Sequence, residues 1–474
     1  MSMWRMSFTL LIVLCSFIGG MLFWQWHVYS DYDQPNEQAE QAEQELTVES
    51  KGDQLNITQR IEGLQSGKEY RISFPDSIPN WSCENADGKI CNSIDENPAS
   101  FVAENHSIIL RYQIELKEKN TFLLNEWMGQ LPDVEISHTT IKVIDSARRE
   151  GSWIAGFPLK GFNELELIDY YVFAGEGDSG SLYWHSEPLT KITDQNGLQF
   201  FAQGNKNKQD YPLESLKKIS NITGISVIFT NSFQETNGNG LMVANPDIKN
   251  ELLERKIVYN YFLEKAPTLP LEEKWLIDAL TSLFLGQQSN VPKGNELISE
   301  MNRVLAKEET ENFVNAVIKE DSITPEILDE LIGTIKEKNT HFFTLNKNED
   351  TKLVPLYFND ARKVVIQGKI QEDIEVLLMN DEKLVPFIDT MTALGFEAKV
   401  LADQETILLD NGNNNYRFYI SQNIFLYNEA DFGLLENPLQ VINGTVFIKV
   451  KLLPELFKAN IEETENEIKI SLDS

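Results

Sequence analysis

The number and spacing of the cysteines and histidines indicate whether this chain can bind a metal ion or form a disulfide. Among 474 residues there are three cysteines, and two of them form a Cys-x7-Cys pair, Cys83 and Cys91. In an oxidising compartment this spacing predicts a disulfide that closes a short loop. Zinc is the weaker alternative, because no second pair of ligands lies nearby. The five histidines are far apart in the sequence and predict no metal site: His27, His106, His138, His185 and His341.

A short run of glycine, aspartate and serine is the second candidate for chemistry. Gly177-Asp178-Ser179-Gly180-Ser181 resembles the nucleophile segment of chymotrypsin-like serine proteases. That chemistry needs a histidine base and an orienting aspartate upstream. Neither His106 nor His138 has the neighbours that this family places around its base. The alternative is an ordinary turn between two strands, because these residue types are common in turns.

Two segments in the middle of the chain carry a third pattern. They are Arg255-Lys256-Ile257-Val258-Tyr259 and Trp275-Leu276-Ile277-Asp278. Their spacing and the Trp-Leu pair resemble a gluzincin metallopeptidase of the M1 aminopeptidase type. That family binds zinc with His-Glu-x-x-His on one helix and a glutamate in a Trp-Leu-x-Glu helix downstream. The resemblance implies that Arg255 and Tyr259 stand for the two histidines, Lys256 for the general base and Asp278 for the glutamate ligand.

These replacements change the chemistry that the pattern predicts. Cationic side chains at two such positions cannot assemble a site for divalent zinc. We therefore predict no catalytic residue, no cofactor and no metal in this chain, which leans away from an enzyme. If the two-helix scaffold is retained, Arg255, Tyr259 and Asp278 converge in a cleft, and Arg255 pairs with Asp278. The alternative is two ordinary core helices whose spacing is a coincidence.

Three successive regions have to position these residues. Strand-like alternation and Gly-Asn clusters predict a β-rich extracytoplasmic region at 51–245. Apolar residues at intervals of three and four predict a helical, gluzincin-like region without zinc ligands at 246–340. Strands return at 341–474. The tryptophans of the first region either pack its core or present rings to a sugar or a partner: Trp81, Trp127, Trp153 and Trp184.

The C-terminal region contains an internal repeat. Residues 385–409 and 448–472 each read as a short helix, a strand, an acidic turn and another strand. Between them, Val441-Ile442-Asn443-Gly444-Thr445-Val446-Phe447-Ile448 matches an Ile-Asn-Gly-x-x-Tyr-Val-Pro strand, with Phe447 for Tyr and Lys449 for Pro. Roughly residues 352–472 thus resemble the copper amine oxidase N-terminal-like stalk domain of bacterial surface proteins. The resemblance implies an α/β module for display or adhesion, and no copper.

The N-terminus predicts where the protein works. The run from Met6 to Ser30 has no formal charge and is mostly apolar, and Arg5 precedes it. These features predict a transmembrane anchor at 7–30, with residues 1–6 in the cytoplasm and the ectodomain outside. Residues 31–50 predict an acidic linker. A cleaved signal peptide is the alternative to the anchor.

Together these patterns predict an α+β multidomain chain with one N-terminal transmembrane helix, a β-rich region, a helical region and a C-terminal α/β stalk-like domain. The formal net charge of −32 disfavours nucleic acid as a partner. We predict a non-catalytic protein, anchored in the lipid bilayer through residues 7–30 of a Gram-positive, Bacillus-like cell. It would bind or scaffold a cell-wall polymer or a membrane or surface protein. The alternatives are a cell-surface peptidase with an unrecognised site and a sensor that works through a membrane partner.

Overall fold

The computed structural model describes residues 41–472, apart from residues 92, 95, 96, 117–120, 179, 196, 205–210, 212 and 220–224. The predicted anchor and the first part of the predicted linker lie outside the described residues. Within the described ranges, no helix is both long and apolar enough to cross a bilayer. The chain divides into two compact units. One contains residues up to 211 together with 221–248, and the other contains 212–220 together with 249–474.

The first unit is built from strands, which follow from its alternation of apolar and polar residues. Its described strands are β1 Gln41–Lys51, β2 Gln54–Glu62, β3 Glu69–Arg71, β4 Trp81–Asn85, β5 Ser93–Ile94, β6 Asn97–Val102, β7 Ser107–Glu115, β8 Phe122–Leu124, β9 Glu135–Asp145, β10 Ser152–Ala155, β11 Leu159–Glu164, β12 Asp169–Glu176, β13 Leu182–His185, β14 Leu189–Gln195, β15 Leu198–Gln203, β16 Ser226–Phe229, β17 Thr236–Gly238 and β18 Leu241–Ala244.

A seven-stranded sheet organises this unit, in the order β11-β12-β9-β1-β2-β7-β4. Smaller sheets have the orders β10-β13-β8, β14-β15-β16-β18-β17 and β3-β6-β5. The largest sheet is mostly antiparallel, but β1 and β9 pair in parallel. Its core side is filled by fully buried residues that include Leu46, Val48, Leu110 and Phe173.

Strand β1 corrects the prediction that residues 31–50 form a linker. Residues 41–51 lie inside the seven-stranded sheet, between β9 and β2. Ala42, Leu46 and Val48 point to the core at every second position, and the intervening acids face outward. The acids give this segment the composition of a linker, but the period of two makes it a half-buried strand.

The second unit begins with helices. The described α-helices are α1 Asn250–Glu264, α2 Trp275–Leu285, α3 Pro292–Val304, α4 Lys307–Lys319, α5 Pro325–Lys336, α6 Phe342–Asn346, α7 Phe387–Ala393 and α8 Leu453–Phe457. Short 3₁₀ turns occupy Ser215–Lys218, Leu271–Glu273 and Val450–Leu452. Helix α5 begins at Pro325, and the side chain of the preceding Thr324 accepts a hydrogen bond from Ile327 N.

The C-terminal part of this unit is mostly β. Its strands are β19 Phe358–Asp360, β20 Lys363–Ile366, β21 Lys369–Gln371, β22 Val376–Met379, β23 Glu382–Pro386, β24 Glu397–Val400, β25 Thr406–Asp410, β26 Asn415–Tyr419, β27 Ile424–Tyr427, β28 Ala430–Gly433, β29 Leu439–Ile442, β30 Thr445–Lys449, β31 Ala459–Glu463 and β32 Glu467–Leu472. They form sheets with the orders β19-β22-β23-β30-β29, β21-β20-β32-β31 and β24-β25-β26-β27-β28.

The structure confirms the predicted repeat. The C-terminal domain contains less helix than the predicted α/β class implies. Helix α7 leads into β24 and β25, and helix α8 leads into β31 and β32. The two repeats meet where β23 pairs with β30. The helices have seven and five residues, so each covers only part of a sheet face, and most of the domain is built from strands.

Candidate functional site

The gluzincin-like positions lie where α1 and α2 face each other. Helix α1 buries an apolar stripe made of Leu253, Ile257, Val258, Tyr261 and Phe262. Helix α2 is apolar along most of its length, nearly all of its residues are buried, and it ends at Gly286 in the left-handed conformation. Asp278 is the single acid of that helix. A buried carboxylate is costly unless it is paired and hydrogen-bonded, so Asp278 requires partners.

Arg255 supplies the first partner. Its Nη2 lies 2.6 Å from Oδ1 of Asp278, and only 11% and 10% of the two side chains are exposed. Nη2 also donates to Ser282 Oγ at 2.8 Å. Nη1 donates to Gln287 Oε1 at 3.3 Å and to the carbonyl of Gln288 at 3.1 Å. The guanidinium therefore ties α1 to α2 and to the loop that follows α2.

That loop supplies the remaining donors to the carboxylate. Asn290 Nδ2 donates to Oδ1 of Asp278 at 3.0 Å. Ser289 Oγ and Asn290 N donate to Oδ2 at 2.5 and 2.8 Å. Ser289 is held in place by close packing on α3, because a Cβ at Gly294 would lie 2.2 Å from its Oγ. Each carboxylate oxygen thus accepts two hydrogen bonds.

The electrostatics keep this carboxylate ionised. Burial alone would raise the pKa of Asp278, but the hydrogen bonds from Ser289, Arg255 and Asn290 outweigh burial and hold the pKa below its usual value. Burial raises the pKa of the half-buried Tyr259, and the nearby charge of Asp278 raises it further. Tyr259 therefore remains a neutral phenol beside an ion pair.

The side chains at this site do not fit zinc. A zinc site takes neutral imidazoles, thiolates or carboxylates as ligands. Here Arg255 occupies the first ligand position, and its guanidinium engages the carboxylate that would be the acidic ligand. Throughout the described ranges there is no group of three or more His, Cys, Asp or Glu residues arranged to hold a metal ion. The arrangement can fix two helices and a loop, and the guanidinium of Arg255 supplies no ligand to a metal ion.

The serine-rich turn does not assemble a triad among the described residues. Ser179 lies outside them. Ser181 is fully buried and donates from Oγ to Asn125 Oδ1 at 2.8 Å. The ring of His106 contacts the carbonyl of Leu64, and His138 lies on β9, in register with β1 and β12. In the described part of the chain, neither histidine is hydrogen-bonded to Ser181.

The tryptophans pack the core of the first unit. Trp127, Trp153 and Trp184 are all at least 95% buried, and their ring nitrogens donate within the protein. Trp81 is partly buried and stacks on Phe74, with ring centroids 5.1 Å apart. The rings of Trp127, Trp153 and Trp184 are therefore not available to stack on a sugar.

Cys83 and Cys91 are joined by a disulfide, with Cα atoms 5.3 Å apart. Cys83 lies on β4, and the chain turns back after that strand so that Cys91 N donates to the carbonyl of Cys83 at 3.0 Å. The disulfide therefore fixes a short loop at the edge of the seven-stranded sheet, as the spacing predicted.

Sequence reasoning missed a polar cavity of about 990 Å³ in the second unit. It lies between α5, α6 and the start of the C-terminal strands, and its acidic lining includes Glu326, Asp329, Glu330, Glu337 and Glu375. Asp329 is its most buried acid, and burial raises the pKa of that carboxyl despite hydrogen bonds from Thr344 and Phe343. No single segment carries this lining, so no local motif could have revealed it.

Comparison with known proteins identifies the C-terminal region. Residues 364–472 match the family model of the copper amine oxidase N-terminal domain. This range agrees with the resemblance drawn from the Ile-Asn-Gly strand and the repeat. No curated protein matches the chain.

The solved structures that resemble the chain include M1 zinc metallopeptidases from Deinococcus radiodurans. The wild-type enzyme aligns with 12% identity and a TM-score of 0.44, over 67% of this chain and 95% of that chain. A mutant of that enzyme aligns with 11% identity and a TM-score of 0.46, over the same shares. The mutant bound to a Tyr-Ser-Ala substrate aligns with 12% identity and a TM-score of 0.48, over 67% of this chain and 95% of that chain. At TM-scores below 0.5 these alignments assign no activity to this chain.

Proposed function

We propose that this chain is a non-catalytic extracytoplasmic protein, anchored in the membrane by residues 7–30, that binds or scaffolds a component of the cell envelope or another protein. The observation that carries the proposal is the Arg255–Asp278 pair. It occupies the place where the gluzincin-like frame would need a metal. Both carboxylate oxygens and both terminal guanidinium nitrogens are hydrogen-bonded to each other, to α2 or to the following loop.

Two further features support a role outside the cytoplasm. The Cys83–Cys91 disulfide persists only in an oxidising compartment. Residues 364–472 match the copper amine oxidase N-terminal domain, and the resemblance to the stalk domains of bacterial surface proteins implies display or adhesion. The apolar, uncharged run that begins at Met6 gives the chain a means of attachment to the bilayer.

Metal content and peptidase activity of the purified full chain test the non-catalytic role. We expect no stoichiometric zinc by mass spectrometry and no cleavage of a panel of aminoacyl anilides and short peptides. The same measurements on Asp278→Ala, with the exposed Asp373→Ala as control, should give the same values. Zinc at one equivalent, or turnover that Asp278→Ala abolishes and Asp373→Ala preserves, would show a peptidase instead.

Protease accessibility tests the topology. Protease added to intact cells whose wall has been stripped should digest the chain beyond about residue 31. Lysed cells serve as the control for protease sensitivity. A chain that stays full length in intact cells but is digested after lysis would place it in the cytoplasm, and a chain found only in the medium would indicate a cleaved signal peptide.

A further inference from the structure

Strand β24 is an open edge of the sheet β24-β25-β26-β27-β28. In the part of the chain that the structure describes, it pairs with β25 and with no other strand. The side chains of Glu397, Lys399 and Val400 are exposed, and Ala398 is partly buried. An open edge of this kind presents unpaired backbone groups to which another strand can bond.

The hydrogen bonds of the hairpin show which backbone groups face the open side. Directly after β24, Leu401 N donates to the carbonyl of Thr406 at 2.9 Å, so these two residues form a hydrogen-bonded pair. Such pairs alternate along an antiparallel ladder with pairs that are not bonded. The residues two and four positions before Leu401 therefore bond to β25 as well. Ala398 and Val400 direct their N–H and C=O groups away from β25, toward the open side.

The charges of this strand are complementary to themselves. Alternate residues of a strand share a face, so Glu397 and Lys399 lie together on the face opposite to Ala398. Suppose that two copies of β24 pair antiparallel about a two-fold axis, with Ala398 opposite Ala398. The outward groups of the two alanines then bond to each other, and Glu397 of each copy lies opposite Lys399 of the other. These two residues form a pair without backbone bonds, in which side chains approach more closely.

The other two-fold registers centred within β24 lack this match. A register centred on Glu397 or on Lys399 places like charges opposite each other, which is destabilising. A register centred on Val400 places Glu397 opposite Asp403. A register centred between two residues would bring groups that already bond to β25 against the outward groups of the second copy. The register centred on Ala398 therefore satisfies both the backbone and the charges.

The neighbouring strands extend the same match. On the outer face Lys399 lies in a row with Leu408 and Arg417, and Glu397 lies in a row with Asp410. Across the two-fold axis, the row that contains two cations continues into the row that contains two acids. Opposite charges on adjacent strands stabilise a sheet.

The acids beside the edge do not meet their own copies in this register. Asp403, in the turn after β24, accepts hydrogen bonds from Glu405 N and Thr406 N at 3.0 Å and from Thr406 Oγ1 at 2.7 Å, so it is held within its own turn. This turn would lie beside residues 394–396 of the second copy, which are uncharged. Asp389 lies in the first turn of α7, at the opposite end of that helix from β24.

Val400 adds an apolar contribution. It lies on the core face in a row with Ile407 and Phe418, which are fully buried, whereas Val400 is 42% exposed. With Ala398 opposite Ala398, Val400 of each copy lies opposite Phe396 of the other. Pairing therefore covers an apolar side chain that is exposed in the single chain.

We propose that two copies of this chain associate by pairing their β24 strands antiparallel about a two-fold axis at Ala398, which joins two five-stranded sheets into one of ten strands. Two four-residue strands bury less than the roughly 1,200 Å² of a standard interface, so the dimer is weak. This inference goes beyond the proposed function and does not rest on it.

Charge reversal and mixing test the surface by sedimentation equilibrium of the purified full chain in density-matched detergent. Glu397→Lys and Lys399→Glu should each weaken dimerisation at least about tenfold, because like charges then face each other. An equimolar mixture of the two variants should associate within about threefold of wild type, because every charge again faces its opposite. Asp373→Lys, at an exposed position of the same domain, changes the net charge as Glu397→Lys does and should dimerise like wild type.

Cysteine pairs test the register in a Cys15→Ser background. Chains with Glu397→Cys mixed with chains with Lys399→Cys should form a disulfide-linked dimer under mild oxidation, because these positions lie opposite each other. Either variant alone should give at least about tenfold less product, because the two equivalent positions are diagonal and about 7–8 Å apart. Both variants expressed together in cells should give a linked product that contains only this chain.

Four outcomes would overturn the inference. They are a wild-type chain that stays monomeric up to about 1 mM, dimerisation that neither charge reversal weakens, equal crosslinking by single and mixed cysteine variants, and a crosslinked product in cells that contains a different protein. None of these measurements depends on zinc or turnover, so the inference and the proposed function can fail separately.

Discussion

Replacing Asp278 by alanine should destabilise the helical region more than any exposed charge change. The substitution leaves the buried guanidinium of Arg255 with neutral acceptors only. It also removes the acceptor of Ser289 Oγ and of two nitrogens of Asn290. Breaking a buried ion pair from one side typically costs about 3–5 kcal/mol. Because Arg255 keeps three acceptors, we expect about 3 kcal/mol.

A double-mutant cycle isolates the pair from the loop. Arg255→Met leaves Asp278 charged but still bonded to Ser289 and Asn290, so we again expect a loss of about 3 kcal/mol. In Arg255→Met/Asp278→Leu no buried charge remains, and apolar groups fill the space. The double variant should lose no more than about 2 kcal/mol relative to wild type, which gives a coupling energy of at least about 4 kcal/mol.

Hydrogen exchange with mass spectrometry is the suitable assay, because a chain of several domains does not unfold in one step. Peptides from α1 and α2 of the full chain report the local opening free energy. Glu311→Ala on α4 is the matched control, since its ion pair with Lys307 is exposed and should contribute less than about 0.5 kcal/mol. Additive single effects, or an Asp278→Ala effect no larger than that of the control, would refute the reasoning.

Three further predictions concern the same region and the disulfide. The triple variant Arg255→His/Tyr259→His/Asp278→Glu should bind one zinc ion in equilibrium dialysis, and Arg255→His alone should not. If the triple variant binds no zinc, the spacing of residues 255, 259 and 278 resembles the metallopeptidase motif by coincidence. The folded pKa of Asp278 lies below its unfolded value of 3.8, so its stabilising contribution should be complete above about pH 4 and be lost as pH falls through the folded pKa. Acidification should therefore lower the local opening free energy of α1 and α2 more in wild type than in Asp278→Ala. In the Cys83→Ser/Cys91→Ser variant the free energy of unfolding should fall by about 2–3 kcal/mol, because the loop is no longer closed in the unfolded chain. Two thiols at these positions that can be alkylated in the unreduced wild type would contradict the disulfide.

The spacing of apolar residues predicted the two helices, because helical periodicity can be read within a short window of sequence. Apolar residues at intervals of three and four predicted α1 and α2, and the resemblance placed Arg255 opposite Asp278. The structure brings these two side chains to 2.6 Å. The donors Ser289 and Asn290 were not predicted, because they lie on an irregular loop whose path has no periodic signal.

Strand β1 was missed for a different physical reason. Its acids lie at outward positions, so the average composition of 31–50 indicates a solvated linker, although the inward positions include Ala42, Leu46 and Val48. Its pairing with β9 joins residues such as Leu46 and Ile141, which are far apart in the chain. Such a non-local pairing has no signature in a single window of sequence.

A guanidinium and a metal ion have different chemical consequences beside a buried carboxylate. A buried carboxylate such as Asp278 needs positive charge near it, and either zinc or Arg255 can supply that charge. A guanidinium remains protonated at physiological pH and directs N–H donors at fixed angles, so Arg255 holds α1, α2 and the following loop in one arrangement. It has no open coordination position to polarise a carbonyl and cannot lower the pKa of a bound water as zinc does. A guanidinium at this position therefore balances the buried charge and supplies no Lewis acid.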